Sequence, residues 1–194
     1  MLKEKLKKYT LILASGSPRR QQFFKDMHLD FEIRLKDVEE IYPPELKAVE
    51  ITDFLAGLKA KAFEGELKEN EILVTSDTIV WHKNKALGKP KNAEEAFEMI
   101  KSMSNATHDV ITSVCFKTNT ASTLLHDITK VTFNELSDEA ILYYIENYKP
   151  YDKAGAYGIQ EWFGFMAVAK VEGSYTNVMG LPTAKVYEYL STLV

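Results

Sequence analysis

Apolar and polar positions alternate along this chain in two periods. Short runs rich in β-branched and aromatic residues predict strands at Thr10–Ala14, Phe31–Arg34, Ile72–Trp81, His108–Thr118, Ser122–Asn134 and Phe163–Val171. Between them, helical spacing places Ile51, Phe54, Leu55, Leu58 and Ala62 on one stripe of a long helix within Glu45–Phe63. Start signals mark the other helices. Ser17 caps a segment opened by Pro18, and Asn92 with Glu95 has capping-box spacing before Ala93–Met103. Ser137 caps Asp138–Asn147, and Pro182 opens a last helix through Leu190. Strands interleaved with helices predict an α/β fold.

No repeat, low-complexity run or linker divides the 194 residues, so one domain is expected, with the loops Asp37–Pro44 and Tyr148–Ile159 bordering any cleft. Hydrophobic residues at 45% and charged residues at 27% are enough for a packed core. The 24 basic side chains against 28 acidic ones give a net charge of -4, which argues against a nucleic-acid-binding surface; a polyanion would have to be bound locally. The single cysteine, Cys115, excludes an internal disulfide and fits a reducing compartment. The basic N-terminus followed by Thr10–Ala14 imitates a signal peptide, but the apolar run falls short of the roughly 7 residues such a segment needs. No stretch reaches the roughly 18 apolar residues of a membrane span, so a soluble, cytoplasmic protein is expected.

Four constellations carry candidate chemistry. Ala14-Ser15-Gly16-Ser17-Pro18-Arg19-Arg20 lies where a strand turns into a helix, and two arginines in a first turn oppose the helix dipole. Either an anion resolves the conflict or both side chains point into water. Asp77 interrupts the apolar run Ile72–Trp81, so it is either a paired functional carboxylate or a turn cap at a strand end. In Gly88-Lys89-Pro90, Pro90 keeps Lys89 extended, which suits an aimed ammonium or a solvated turn. Asp152–Gln160 combines small residues, which allow close backbone approach, with the two-way amide of Gln160.

Other groups complete the inventory with alternatives open. Glu39 or Glu40 offers a carboxylate to a hard cation, and Lys59 and Lys61 flank the helical stripe on opposite sides. The four histidines, His28, His82, His108 and His126, lack zinc-ligand spacing; there is no Walker A loop and no G-x-S-x-G elbow. Cys115, in an apolar strand, reads as packing.

These motifs, with Thr112-Ser113-Val114 and Gly173-Ser174-Tyr175-x-Asn177-Val178-x-Gly180-Leu181-Pro182, follow the order found in the Maf family of nucleoside triphosphate pyrophosphatases, which the chain resembles over nearly its whole length. The stretch Asp152–Gln160 is similar to the branch acting on dTTP and UTP. The resemblance implies a single domain over residues 1–194: a mixed β-sheet with flanking helices, two lobes around a central cleft, related to inosine triphosphate pyrophosphatases. It implies hydrolysis to a nucleoside monophosphate and pyrophosphate, serving clearance of modified pyrimidine nucleotides or restraint of cell division, and commonly a homodimer. By the same resemblance Asp77 is the proton acceptor, and Arg19, Thr78 and Gln160 govern base choice. Ser15, Arg20, Glu40, Lys59 and Lys89 surround phosphates and a divalent ion, Mg²⁺ or Mn²⁺, held by Asp77 and Glu40. The chain departs from the family pattern at Thr75-Ser76, where Gly-Ala is usual, and at Asn105-Ala106, where Gly-Gln or Gly-Lys is usual. A nucleotide-binding regulator without turnover is the competing class, and pyrophosphate release separates the two.

Overall fold

A computed structural model describes residues 2–193. The first half of the chain runs α1 (Leu2–Leu6), β1 (Thr10–Leu13), α2 (Pro18–Asp26), β2 (Glu32–Ile33), α3 (Val49–Lys61), β3 (Glu71–His82), β4 (Lys85–Leu87) and α4 (Ala93–Met103). The second half runs β5 (Thr107–Lys117), β6 (Ser122–Phe133), α5 (Asp138–Tyr148), a 3₁₀ turn at Ala154–Ala156, α6 (Trp162–Ala167), β7 (Val168–Glu172), α7 (Tyr175–Val178) and α8 (Thr183–Leu193). None of the described helices is long and apolar enough to cross a membrane. The chain forms two compact units: one holds the segments up to Asp77, Thr112–Asp127 and Gly180 onward, the other Thr78–Ile111 and Ile128–Met179.

In the first unit β1 pairs in parallel with both β2 and β3, with Leu13 opposite Ile33 and Val74. Parallel strands are covered on both faces, and the side-chain period of two divides this core accordingly. Leu11, Leu13, Ile72 and Val74 join Phe24, Val186 and Leu190 on one side, while Ile12, Leu73 and Cys115 meet Ala56, Ala60 and Phe63 of α3 on the other. The same period puts Thr75 and Asp77 on the α3 side with Leu73, and Thr75 Oγ1 donates to the Ala56 carbonyl at 2.7 Å. In the second unit β4 pairs antiparallel with the end of β3 and β7 with the end of β6, which is bulged between Thr132 and Phe133. Its core gathers Ile100, Met103, Phe133, Ile141, Tyr144 and Phe163.

Most expected elements are present, with informative differences. The strand expected over Phe163–Val171 is a helix up to Ala167 and a strand only from Val168. Phe163 and Ala167, four residues apart, are both fully buried, so the apolar run follows a helical face there. The helix expected within Glu45–Phe63 starts only at Val49, because Ala48 is left-handed at φ 49°. At α4 the Asn92 side chain accepts from Glu95 N at 2.8 Å, but Glu95 returns its carboxylate to Lys91 N, not to the cap residue. The short elements α1, β4 and α7 are too brief to display a period in the sequence.

Candidate active site

The turn from β1 into α2 is built by its own serines. Ser17 Oγ accepts from Arg20 N at 3.5 Å, Ser17 N donates to Ser15 Oγ at 3.3 Å, and Gln21 Nε2 ties down the Ser15 carbonyl at 3.1 Å. Arg20 does not run out into water. Its Nε donates to the Gly180 carbonyl at 2.8 Å, and its Nη1 donates to the Ser76 carbonyl at 2.9 Å and to Ser15 Oγ at 3.4 Å. Burial pushes its guanidinium down from the ordinary arginine value and Arg19 adds to this, while Asp77 and Glu40 pull the other way. The result is a positive group fixed beside the middle of β3, with Ser15 against it.

Asp77 ends the run of buried β3 positions and is itself 7% exposed. A carboxylate so placed requires a partner, and Lys59 supplies it: Nζ lies 2.7 Å from Asp77 Oδ1 and 2.8 Å from Glu40 Oε1. Of each pair of alternatives, one member reaches Asp77's surroundings. Lys59 faces the carboxylates while Lys61 is exposed, and it is Glu40 of the Asp37–Pro44 loop, not Glu39, that reaches the cluster. Ser15, Arg20, Glu40, Lys59 and Asp77 thus come together in the first unit, with half-buried Arg19 one position before Arg20 on the same helix.

Thr78, Lys89 and Gln160 belong to the second unit. Thr78 follows Asp77 directly and is half-buried. Lys89 is exposed, and its loop is joined to the Asp152–Gln160 segment by a bond from Gly155 N to the Gly88 carbonyl at 3.0 Å. Gly155 has φ +68° and a Cβ there would lie 2.7 Å from Val80 Cγ2, so only glycine fits this crossing. Gln160 is half-buried and its amide bonds no other described residue.

Two carboxylates converging on one cation are a hard-oxygen donor pair of the kind that suits Mg²⁺ or Mn²⁺. Among the described residues no group of three or more acidic, histidine or cysteine side chains could hold a metal unaided, so such an ion would take its remaining ligands from water and phosphate. Cys115 is buried, its thiol is pushed up by burial, and it contacts Ser122 Oγ, in keeping with a packing role.

Side-chain patterns missed two parts of this arrangement. The Ser76 and Gly180 carbonyls that hold Arg20 are backbone atoms, which no residue-type pattern marks. Nor does any pattern mark the pairing of buried Lys153 with Glu161, which lies just beyond the Asp152–Gln160 stretch. Ser76 gives a test of packing. Its hydroxyl is buried with no hydrogen-bond partner among the described residues, so Ser76→Ala should preserve activity and raise stability by about 1 kcal/mol, read by thermal unfolding.

The Staphylococcus aureus Ham1 protein shares the fold, with a TM-score of 0.55 over 95% of this chain and 100% of that one at 13% identity. A protein of Flavobacterium johnsoniae named dTTP/UTP pyrophosphatase is 90% identical over the full length of both chains. Proteins of the same name from Flavobacterium psychrophilum and Christiangramia forsetii are 62% identical over 98% of this chain and 97% of theirs, and 52% identical over 100% and 99%. The pattern of the family described as Maf-like protein matches residues 10–193. From the first strand to the last helix, therefore, the chain belongs to the Maf-like protein family.

Proposed function

We propose that this protein hydrolyses dTTP and UTP between the α and β phosphates, releasing the monophosphate and pyrophosphate. The observation that carries the reading is Lys59 held between Asp77 and Glu40, with Arg20 fixed by the carbonyls of Gly180 and of Ser76, the residue before Asp77 on β3. The names of whole-length relatives up to 90% identical support it.

The roles follow from charge and geometry. A nucleoside triphosphate brings about four negative charges, and phosphoryl chemistry is governed by positioning and neutralising them. Arg20, Lys59 and Lys89 supply fixed positive charge, and Ser15 a hydroxyl, to the phosphates. Asp77 accepts the proton of the attacking water as the P–O bond to the leaving pyrophosphate breaks. Asp77 and Glu40 would hold Mg²⁺ or Mn²⁺, which when bound neutralises phosphate charge and acidifies water. Arg19, Thr78 and Gln160 read the base. Thymine and uracil share the O2, N3–H and O4 edge that a glutamine amide can match, whereas cytosine exchanges the O4 acceptor for a donor and lacks the N3 hydrogen.

Pyrophosphate release from a panel of nucleoside triphosphates, with Mg²⁺, with Mn²⁺ and with a chelator, tests this. dTTP and UTP should turn over fastest, CTP and purine nucleotides one to two orders of magnitude more slowly, roughly the effect of one unpaired buried group. Chelation should remove activity. Equal rates on UTP and CTP would refute the base-reading roles, and no pyrophosphate from any nucleotide would refute the activity.

A further inference from the structure

A charge network built around buried Lys153 in the second unit adjoins Gln160. Lys153 is only 7% exposed; its Nζ donates to Asp152 Oδ1 at 2.8 Å and lies 3.1 Å from Glu161 Oε1. The other Glu161 carboxylate oxygen accepts from the Tyr144 hydroxyl, and the Tyr144 oxygen accepts in turn from Gly158 N at 2.9 Å. Gly158 is bare because its neighbours need the space. A Cβ there would lie 2.8 Å from the Glu161 carboxylate and 3.0 Å from Lys153 Cε.

Tyr144 is well suited to hold such a position. Its ring is fully buried, stacked on Tyr148 at 5.1 Å and tilted against Phe163 at 4.7 Å. Burial first, and Glu161 second, push its hydroxyl above the ordinary tyrosine value, so it remains protonated and keeps donating. Desolvating a lysine and a carboxylate contributes little net stability, so the network is better understood by the geometry it imposes. That geometry is specific. Gly158 and Glu161 are the anchored points, and Gln160 lies between them.

We propose that Tyr144 and Glu161 are positioning residues for base selection, fixing the backbone on both sides of Gln160 so that its amide meets the pyrimidine edge. The inference rests on the base-reading role given to Gln160 above. A residue that orients a specificity group should change the ratio of kcat/KM between competing bases, whereas a residue that only supports the fold lowers both values together.

The experiment compares kcat/KM for UTP and CTP in the wild type and in Gln160→Ala, Tyr144→Phe and Glu161→Gln, with amide hydrogen exchange at Gly158 and thermal unfolding alongside. Tyr144→Phe keeps the ring and removes the hydroxyl. It should unfold cooperatively, speed exchange at Gly158, and lose about ten-fold of the UTP-over-CTP preference. Should this variant fail to fold, Glu161→Gln, which keeps the shape of the side chain but removes the charge that Tyr144 and Lys153 bond, decides by the same ratio. A collapsed preference in Gln160→Ala with an unchanged one in the positioning variants overturns the inference while the base-reading role stands. An unchanged preference in Gln160→Ala overturns both.

Discussion

Asp77→Asn should lower turnover of dTTP by about 10² to 10⁴, the range lost with a general base, while the protein stays folded. The amide matches the carboxylate in size and can still accept from Lys59 Nζ, now 2.7 Å away, so this buried position keeps a polar partner. What disappears is the negative charge facing Lys59 and Arg20, and with it the ability to take a proton or bind a cation strongly. Glu40, also on Lys59, cannot substitute, because its side chain is 49% exposed on a loop and not fixed within a buried strand. Near-normal turnover in a variant with unchanged thermal unfolding would remove Asp77 from the mechanism.

Stability should fall steeply with acid, and His108 should account for much of the fall. It is 2% exposed, its Nε2 lies 2.8 Å from the Tyr157 hydroxyl, and its Nδ1 has no partner among the described residues. Burial, with a smaller contribution from His82, pushes it down from 6.5 to about 3. The native state therefore keeps this ring neutral while the unfolded chain protonates it below pH 6.5. Nothing is lost above that pH; between 6.5 and about 3 the native state loses about 1.4 kcal/mol per pH unit. Denaturant midpoints measured from pH 7 to pH 4 should show this slope, and His108→Gln, which retains a group for Tyr157, should flatten it. The same slope in both proteins would assign acid sensitivity to the carboxylates.

Legibility in the sequence followed length and period. Eleven residues of helix from Ala93 to Met103 were delimited correctly because Asn92 and the apolar spacing agree, whereas α7, with four residues, has no period to read. Phe163–Val171 misled because an apolar run without alternation fits a buried helix as well as a strand. For the site, the oddity of arginines at a helix start and of a carboxylate in an apolar run pointed to Arg20 and Asp77. Periodicity could not choose Lys59 over Lys61, since that depends on where α3 lies against β3, and the Thr75 bond to the Ala56 carbonyl fixes that only in three dimensions. The pairing of buried Lys153 with half-buried Glu161 is hidden in the sequence because the two lie eight residues apart on irregular backbone.

The alternation along β3 also limits how this chain can change. Leu73, Thr75 and Asp77 share the α3 face, and Thr78 occupies the opposite one, so the proposed proton acceptor and a proposed base-reading residue sit at odd and even positions of a single strand. Point substitutions leave that parity intact, as Thr75-Ser76 does in place of the more usual small pair. Deleting or inserting one residue between Val74 and Asp77 would reverse it, turning the carboxylate away from Lys59 and presenting a hydroxyl to the ammonium. Lineages of this protein should therefore vary in loop length around this strand while the spacing within it stays constant.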